Sequence, residues 1–292
     1  MAVWVKCLCA ALLLPLALSA ASAQLRGHGG PVRALAISPD GKRALSGSFD
    51  TSAIRWSLER NVAEQVMRFH DGAVNAVAYL KDGRIVTAGE DAHIAIWTPG
   101  QQQPDKVLDG HNGPIVALAL SADGALLASA SWDITVRLWP LKGGTPRVLE
   151  GHTQNVNGVA FTPDGGSVVS AGYDATLRIW PLKGGPETVR TLPTPLNTVA
   201  VARDGEIVTA GANGTVYFLS PQGEVRAEVE ASPVPIISLA ISPDGRLVAA
   251  AGLRGSVAVI DRKTRKLERT LIGPGLPVWS VVFFPDSRTL LT

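Results

Sequence analysis

The chain has 292 residues, with 27 Lys and Arg against 25 Asp and Glu, for a formal net charge of +2. That balance excludes a polyanion binder driven by bulk charge, because phosphate-backbone binding needs clustered Lys and Arg. At 46% hydrophobic the chain can bury a large core; 18% charged residues is low for a helical bundle, and 30 Gly with 20 Pro suit many short strands joined by turns. The two cysteines are Cys7 and Cys9, so beyond them no disulfide, thiolate metal site or Cys nucleophile is available.

The first 23 residues read as an address. One positive residue, Lys6, precedes the apolar run Cys7 to Ala23, which holds Pro15 and ends in Ala21-Ser22-Ala23 before Gln24. That is the positive, apolar, small-residue order of a secretory signal peptide. An uncleaved membrane anchor is the alternative, disfavoured because the run is slightly short for a span and Pro breaks it. The expectation is therefore a signal peptide over 1–23, a mature chain over 24–292, and an exported protein of the periplasm or exterior.

After that a forty-residue period governs the chain. Asp-Gly recurs at Asp40-Gly41, Asp82-Gly83, Asp123-Gly124, Asp164-Gly165, Asp204-Gly205 and Asp244-Gly245, and a seventh copy reads Asp286-Ser287. Each marker sits between two apolar runs, as a hairpin turn does. Segments such as Val32 to Ile37 precede it, Leu126 to Ala130 follow it, and Val136 to Trp139 lies further on. Most alternate with period two, which predicts four short antiparallel strands per repeat and no helix. One such unit cannot bury both faces alone, and radial stacking solves that.

Four repeats carry a His, then Ser or Thr, then Asp, then Trp. The sets are His28, Ser46, Asp50, Trp56; His70, Thr87, Asp91, Trp97; His111, Ser129, Asp133, Trp139; and His152, Ser170, Asp174, Trp180. On these residues the chain resembles the WD-repeat β-propeller family. The resemblance implies an all-β, seven-bladed propeller of four-stranded antiparallel blades. It also implies a hydrogen-bonded tetrad in each blade that carries the residues, Asp accepting from His, His meeting the hydroxyl, and the hydroxyl meeting the Trp indole. The pattern decays in the fifth repeat, with Thr209, Asn213 and Leu219, and in the sixth, with Ala250, Arg254 and Ile260. The seventh repeat stops at Thr292, in the place of Ser46, Ser129 and Ser170. The expectation is six full repeats plus an incomplete seventh blade with an open seam, as in a fragment of a longer protein.

One His per repeat argues for the structural tetrad over a metal or catalytic role, and no H-E-x-x-H, G-x-S-x-G or Gly-rich phosphate loop occurs. The basic run Arg262 to Lys266 reads as a solvated hairpin tip. What remains is a surface. By resemblance, partners dock around the channel entrance, which two positions per repeat would feed. One lies seven residues before the turn Asp: Arg33, Asn75, Val116, Asn157, Asn197, Ile237 and Trp279. The other precedes the tetrad Asp: Phe49, Glu90, Trp132 and Tyr173, with Ala212 and Leu253 in the degenerate repeats. Arg33, Phe49, Asn75, Glu90, Trp132, Asn157, Tyr173 and Trp279 are the candidate partner-binding residues, the aromatics serving either as anchors or as packing between blades.

The sequence therefore reads as a non-enzymatic scaffold of the bacterial periplasm that binds a protein through one face, with no nucleic acid and no membrane after signal cleavage. It is expected to be a monomer once the propeller is complete. The chain also resembles bacterial exported proteins in which such a propeller precedes a c-type cytochrome domain. In that alternative the haem lies beyond Thr292, and no cofactor is expected in this chain. A channel-centred enzyme is the third reading.

Overall fold

Alternating apolar and small residues on either side of each Asp-Gly turn fold as antiparallel strands in the computed structural model, which describes residues 25–273 and 275–292. The expected leader over 1–23 lies outside the described residues. Blade 1 is β1 (Val32–Ile37), β2 (Arg43–Ser48), β3 (Ser52–Ser57) and β4 (Val62–Arg68). Blade 2 is β5 (Val74–Tyr79), β6 (Ile85–Gly89), β7 (Ile94–Trp97) and β8 (Lys106–Leu108). Blade 3 is β9 (Ile115–Leu120), β10 (Leu126–Ser131), β11 (Val136–Pro140) and β12 (Arg147–Leu149). Blade 4 is β13 (Val156–Phe161), β14 (Ser167–Gly172), β15 (Thr176–Pro181) and β16 (Thr188–Thr191). Blade 5 is β17 (Leu196–Val201), β18 (Ile207–Gly211), β19 (Thr215–Leu219) and β20 (Val225–Glu230). Blade 6 is β21 (Ile236–Ile241), β22 (Leu247–Gly252), β23 (Ser256–Asp261) and β24 (Lys266–Ile272). Last come β25 (Val282–Phe283) and β26 (Leu290–Leu291).

Within each blade every strand pairs antiparallel with the next in sequence. First strands line the centre of the ring: β1 packs on β5, β5 on β9, β9 on β13, β13 on β17, β17 on β21, β21 on β25, and β25 on β1. The core lies between blades. Trp139 of blade 3, for example, packs with Val86, Ile94, Ile96 and Leu108 of blade 2. Burying a large side chain this way is worth about 1.5–3 kcal/mol each, which explains why second and third strands are apolar on both faces while the outer β20 and β24 are mostly exposed.

The turns explain the marker. Gly41, Gly83, Gly124, Gly165, Gly205 and Gly245 all have φ between 66° and 86°, and Ser287 takes the same left-handed conformation at 60°. The preceding Asp accepts a backbone N–H two residues on, as Asp40 does from Lys42 at 3.0 Å.

The seven-bladed expectation is corrected. The described residues form six four-stranded blades and a separate two-stranded sheet. β25 and β26 pair only with each other, over Val282–Leu291 and Phe283–Leu290. A blade is a unit of four paired strands, and no third or fourth strand pairs there among the described residues. Beside this sheet lies a cavity of ≈ 520 Å³, lined by Leu25, His28, Trp56, Leu291 and Thr292 among others.

Candidate functional site

The mouth of the central channel is built by a repeated irregularity. In each of blades 1–6 the pairing of first and second strands slips by one residue near the start of the first strand. The residues left unpaired are Arg33, Asn75, Val116, Asn157, Asn197 and Ile237. A bulge bends its strand and re-aims one side chain. All six side chains, with Trp279 before β25, line one cavity of ≈ 420 Å³. In blades 1–6 the position seven residues before the turn is therefore a bulge.

The second set divides. Trp132 and Tyr173 line the cavity, and they are 42% and 46% exposed. Phe49 stands behind the rim, edge-on to Trp279 with centroids 5.7 Å apart. Glu90 turns back, its carboxylate accepting the Ala73 N–H at 3.2 Å. Of the eight candidate residues, six line the cavity and these two do not.

Part of this ring stitches blades together. The Trp132 indole donates to the Asn157 side-chain oxygen at 3.1 Å, and the Asn157 amide donates to the Leu196 carbonyl at 3.0 Å in the next blade. Asn197 does the same to the Ile236 carbonyl at 2.9 Å. Arg33 behaves differently. Its guanidinium lies 4.7 Å over the Trp279 ring. Burial pulls its pKa down from the ordinary value, against the opposing influence of Glu90.

Asn155 also lines the cavity, and sequence reasoning missed it. The corresponding positions of the other repeats are Pro31, Ala73, Pro114, Pro195, Pro235 and Pro277, so an amide in a column of prolines was the available signal.

Away from the mouth, the four tetrads are assembled within their blades. His Nδ1 meets the Asp carboxylate at 3.0, 2.9, 2.7 and 3.0 Å in blades 1–4. His Nε2 meets the hydroxyl at 2.7, 2.8, 2.7 and 2.7 Å. The Trp indole donates to that hydroxyl at 2.7, 3.0, 2.8 and 2.8 Å. This order is satisfied when Nδ1 carries the proton and Nε2 accepts. A further hydroxyl joins: Ser52, Thr135 and Thr176 donate to the same Asp at 2.6–2.7 Å. In blade 2 that place holds His93, half-exposed between Asp91 at 3.7 Å and Asp109 at 3.4 Å. Burial is the largest influence on Asp133 and pushes its pKa upward. Hydrogen bonds from His111, Thr135 and the Asn112 N–H outweigh it and hold the carboxyl well below the usual range.

The basic run is a solvated tip only in part: Lys263, Thr264 and Lys266 are exposed, but the two arginines are engaged. Arg262 donates to Asp204 at 2.8 Å, Arg265 donates to Glu206 at 3.0 Å, and the Arg265 guanidinium sits 4.2 Å over Phe218. The hairpin of blade 6 is clasped onto blade 5. Among the described residues no group of three or more His, Cys, Asp or Glu is arranged to hold a metal.

A family model described as WD domain, G-beta repeat matches residues 20–57, 62–98, 102–140 and 143–181, just over half the chain. These are the four repeats that carry tetrads. Similar curated proteins include the ribosome biogenesis protein YTM1 of Candida glabrata, 39% identical over 66 residues. The protein of the same name from Saccharomyces cerevisiae is 35% identical over 66 residues. Each match covers 23% of this chain and 14% of the relative, so the aligned stretch spans about one seventh of those proteins. The expectation of a periplasmic or secreted protein is corrected by these relatives, which are yeast ribosome biogenesis proteins. The segment that suggested export lies outside the described residues.

Proposed function

The chain belongs to the WD-domain, G-beta repeat family, and from that premise we propose that it is a non-enzymatic scaffold that binds a protein partner at the bulge-lined mouth of its channel, with no cofactor of its own. The observation that carries this reading is the exposure of Trp132 and Tyr173 on the wall of a cavity that the six bulge residues also line. Half-exposed aromatics beside neutral amides are the composition of interface anchors, and a rigid ring holds them without loss of order on binding. The likeness to the ribosome biogenesis proteins covers only a short aligned stretch, so the proposal takes from them the repeat and not the process.

A partner retained by the immobilised chain, purified and titrated by calorimetry, tests the proposal. Trp132→Ala and Tyr173→Ala each weaken its binding by more than about 1 kcal/mol. Their melting temperatures move less than that of Trp139→Ala, which removes a tetrad indole from the same blade as Trp132. Large losses of stability with unchanged affinity would make these aromatics blade packing and abolish the docking face.

A further inference from the structure

Among the described residues, the lining of the channel mouth carries a single charged side chain. Among the residues lining the cavity only Arg33 is ionic; every other member is apolar, aromatic, an amide or a hydroxyl. Its guanidinium makes no hydrogen bond and no ion pair among the described residues, and it lies 4.7 Å over the Trp279 face. Arg43, Arg178, Arg246, Arg262 and Arg265, by contrast, each lie within 4 Å of a carboxylate. Glu90 reaches Arg33 only through the field and spends its hydrogen bond on Ala73. A half-buried guanidinium that faces the cavity without an acceptor is free to take one, and its planar fork of N–H donors matches a carboxylate in shape and charge.

We infer that the partner segment seated in this mouth carries an Asp or Glu whose side-chain carboxylate docks on Arg33. The inference rests on the partner-binding reading above and names the chemistry of that partner. The segment is an acidic, extended peptide. Its carboxylate takes the Arg33 N–H groups, its backbone meets the Asn75 and Asn155 amides, which make no side-chain hydrogen bond among the described residues, and an apolar neighbour covers Trp132 and Tyr173. A carboxylate suits the site better than a phosphate. A dianion calls for a second cation, and the cavity has none, while Glu90 at the rim adds negative charge.

A phage-displayed library of random 12-residue peptides, joined to the coat protein through their C-termini so that no terminal carboxylate is free, is panned on the full chain. Binders lost with Trp132→Ala are sequenced and made as amidated peptides with Glu, Gln or phosphoserine at the fixed position. The expected result is an Asp or Glu at one position, with the Gln and phosphoserine forms weaker by tenfold or more. Arg33→Gln should weaken the Glu peptide about tenfold and leave the Gln peptide unchanged. Arg33→Lys should fall between. Glu90→Gln, which keeps the Ala73 bond, should strengthen the Glu peptide roughly threefold by removing a like charge. Binders lost with Trp132→Ala that have no fixed acidic residue, or that bind Arg33→Gln as well as wild type, would overturn the carboxylate inference and leave the docking face standing. Binders indifferent to both Trp132→Ala and Tyr173→Ala, or an empty selection, would overturn the docking face itself.

Discussion

Blades 1–4 and blades 5–6 reach the same four-stranded form by different chemistry. In the first four, a buried chain of hydrogen bonds runs from Trp through hydroxyl and His to Asp. In blade 5 the Trp place is Leu219, fully buried, with Tyr217 two residues earlier; the Asn213 amide donates to the Tyr217 oxygen at 2.7 Å, and Thr209 donates to the Thr198 carbonyl. In blade 6, Ala250 and Ile260 are apolar core and Arg254 is exposed. The turn after the second strand differs in step with this. The residue following the tetrad Asp is Thr51, Ala92, Ile134 or Ala175, each left-handed at φ 61–68°. In blades 5 and 6 it is Gly214 or Gly255, at 75° and 73°. Left-handed backbone costs a non-glycine residue about 1–2 kcal/mol. The tetrad Asp holds that turn by accepting the N–H two residues on, as Asp133 does from Thr135 at 3.0 Å. The difference teaches that the tetrad fixes a strained turn as well as a blade, and that blades without it use glycine and aliphatic packing.

The largest test removes the core residue at the equivalent place. Trp139→Ala costs about 3–5 kcal/mol and Leu219→Ala about 2–4 kcal/mol in denaturant unfolding. A loss at Leu219 exceeding that at Trp139 would mean the tetrad indole is not the heavier support. The turn supplies a reciprocal pair. A Cβ on Gly214 would sit 1.9 Å from the Ser232 carbonyl oxygen, so Gly214→Ala costs about 3 kcal/mol. Ala175→Gly changes stability by no more than about 0.5 kcal/mol, because relief of strain offsets the greater freedom of the unfolded chain. Equal losses in thermal melts would remove the turn from the comparison.

Asp133→Ala leaves His111 short of an acceptor and costs about 1–3 kcal/mol, whereas the exposed Arg254→Ala stays within about 0.5 kcal/mol. The pH dependence sharpens this. Asp133 and the other tetrad carboxylates titrate below their unfolded values. The stability they contribute is complete above about pH 4 and is lost as pH falls through their folded values. His152 acts in the same direction at higher pH. Burial lowers its pKa below 6.5, so stability begins to fall once acid protonates the unfolded imidazole. Asp133→Asn should lose less than wild type between about pH 4 and 2, and an unchanged slope would count against the tetrad. The smallest effect lies in the clasp between blades 5 and 6. The Arg262 hydrogen bond brings Asp204 down to about 2, yet that carboxylate is well exposed. Arg262→Ala should cost about 0.5–1 kcal/mol at low ionic strength and nothing measurable in about 1 M salt. A loss that persists in high salt would mean the arginine stem packs instead of pairing.

The sequence by itself determined the strand period, the turns, the membership of each tetrad and the seven positions that ring the channel. All of these repeat at short range, so spacing carries them: a left-handed turn needs Gly or its like, and a tetrad needs four residue types at fixed separation. Only the tertiary structure decided the rest. That the rim positions are bulges depends on register between paired strands, which residue identity does not display. That Phe49 and Glu90 leave the cavity while Asn155 enters it depends on neighbours one blade away. Whether Arg262 to Lys266 is a solvated tip or a clasp was set by the carboxylates of Asp204 and Glu206, which lie 58 and 59 residues away in the chain and in contact in the fold.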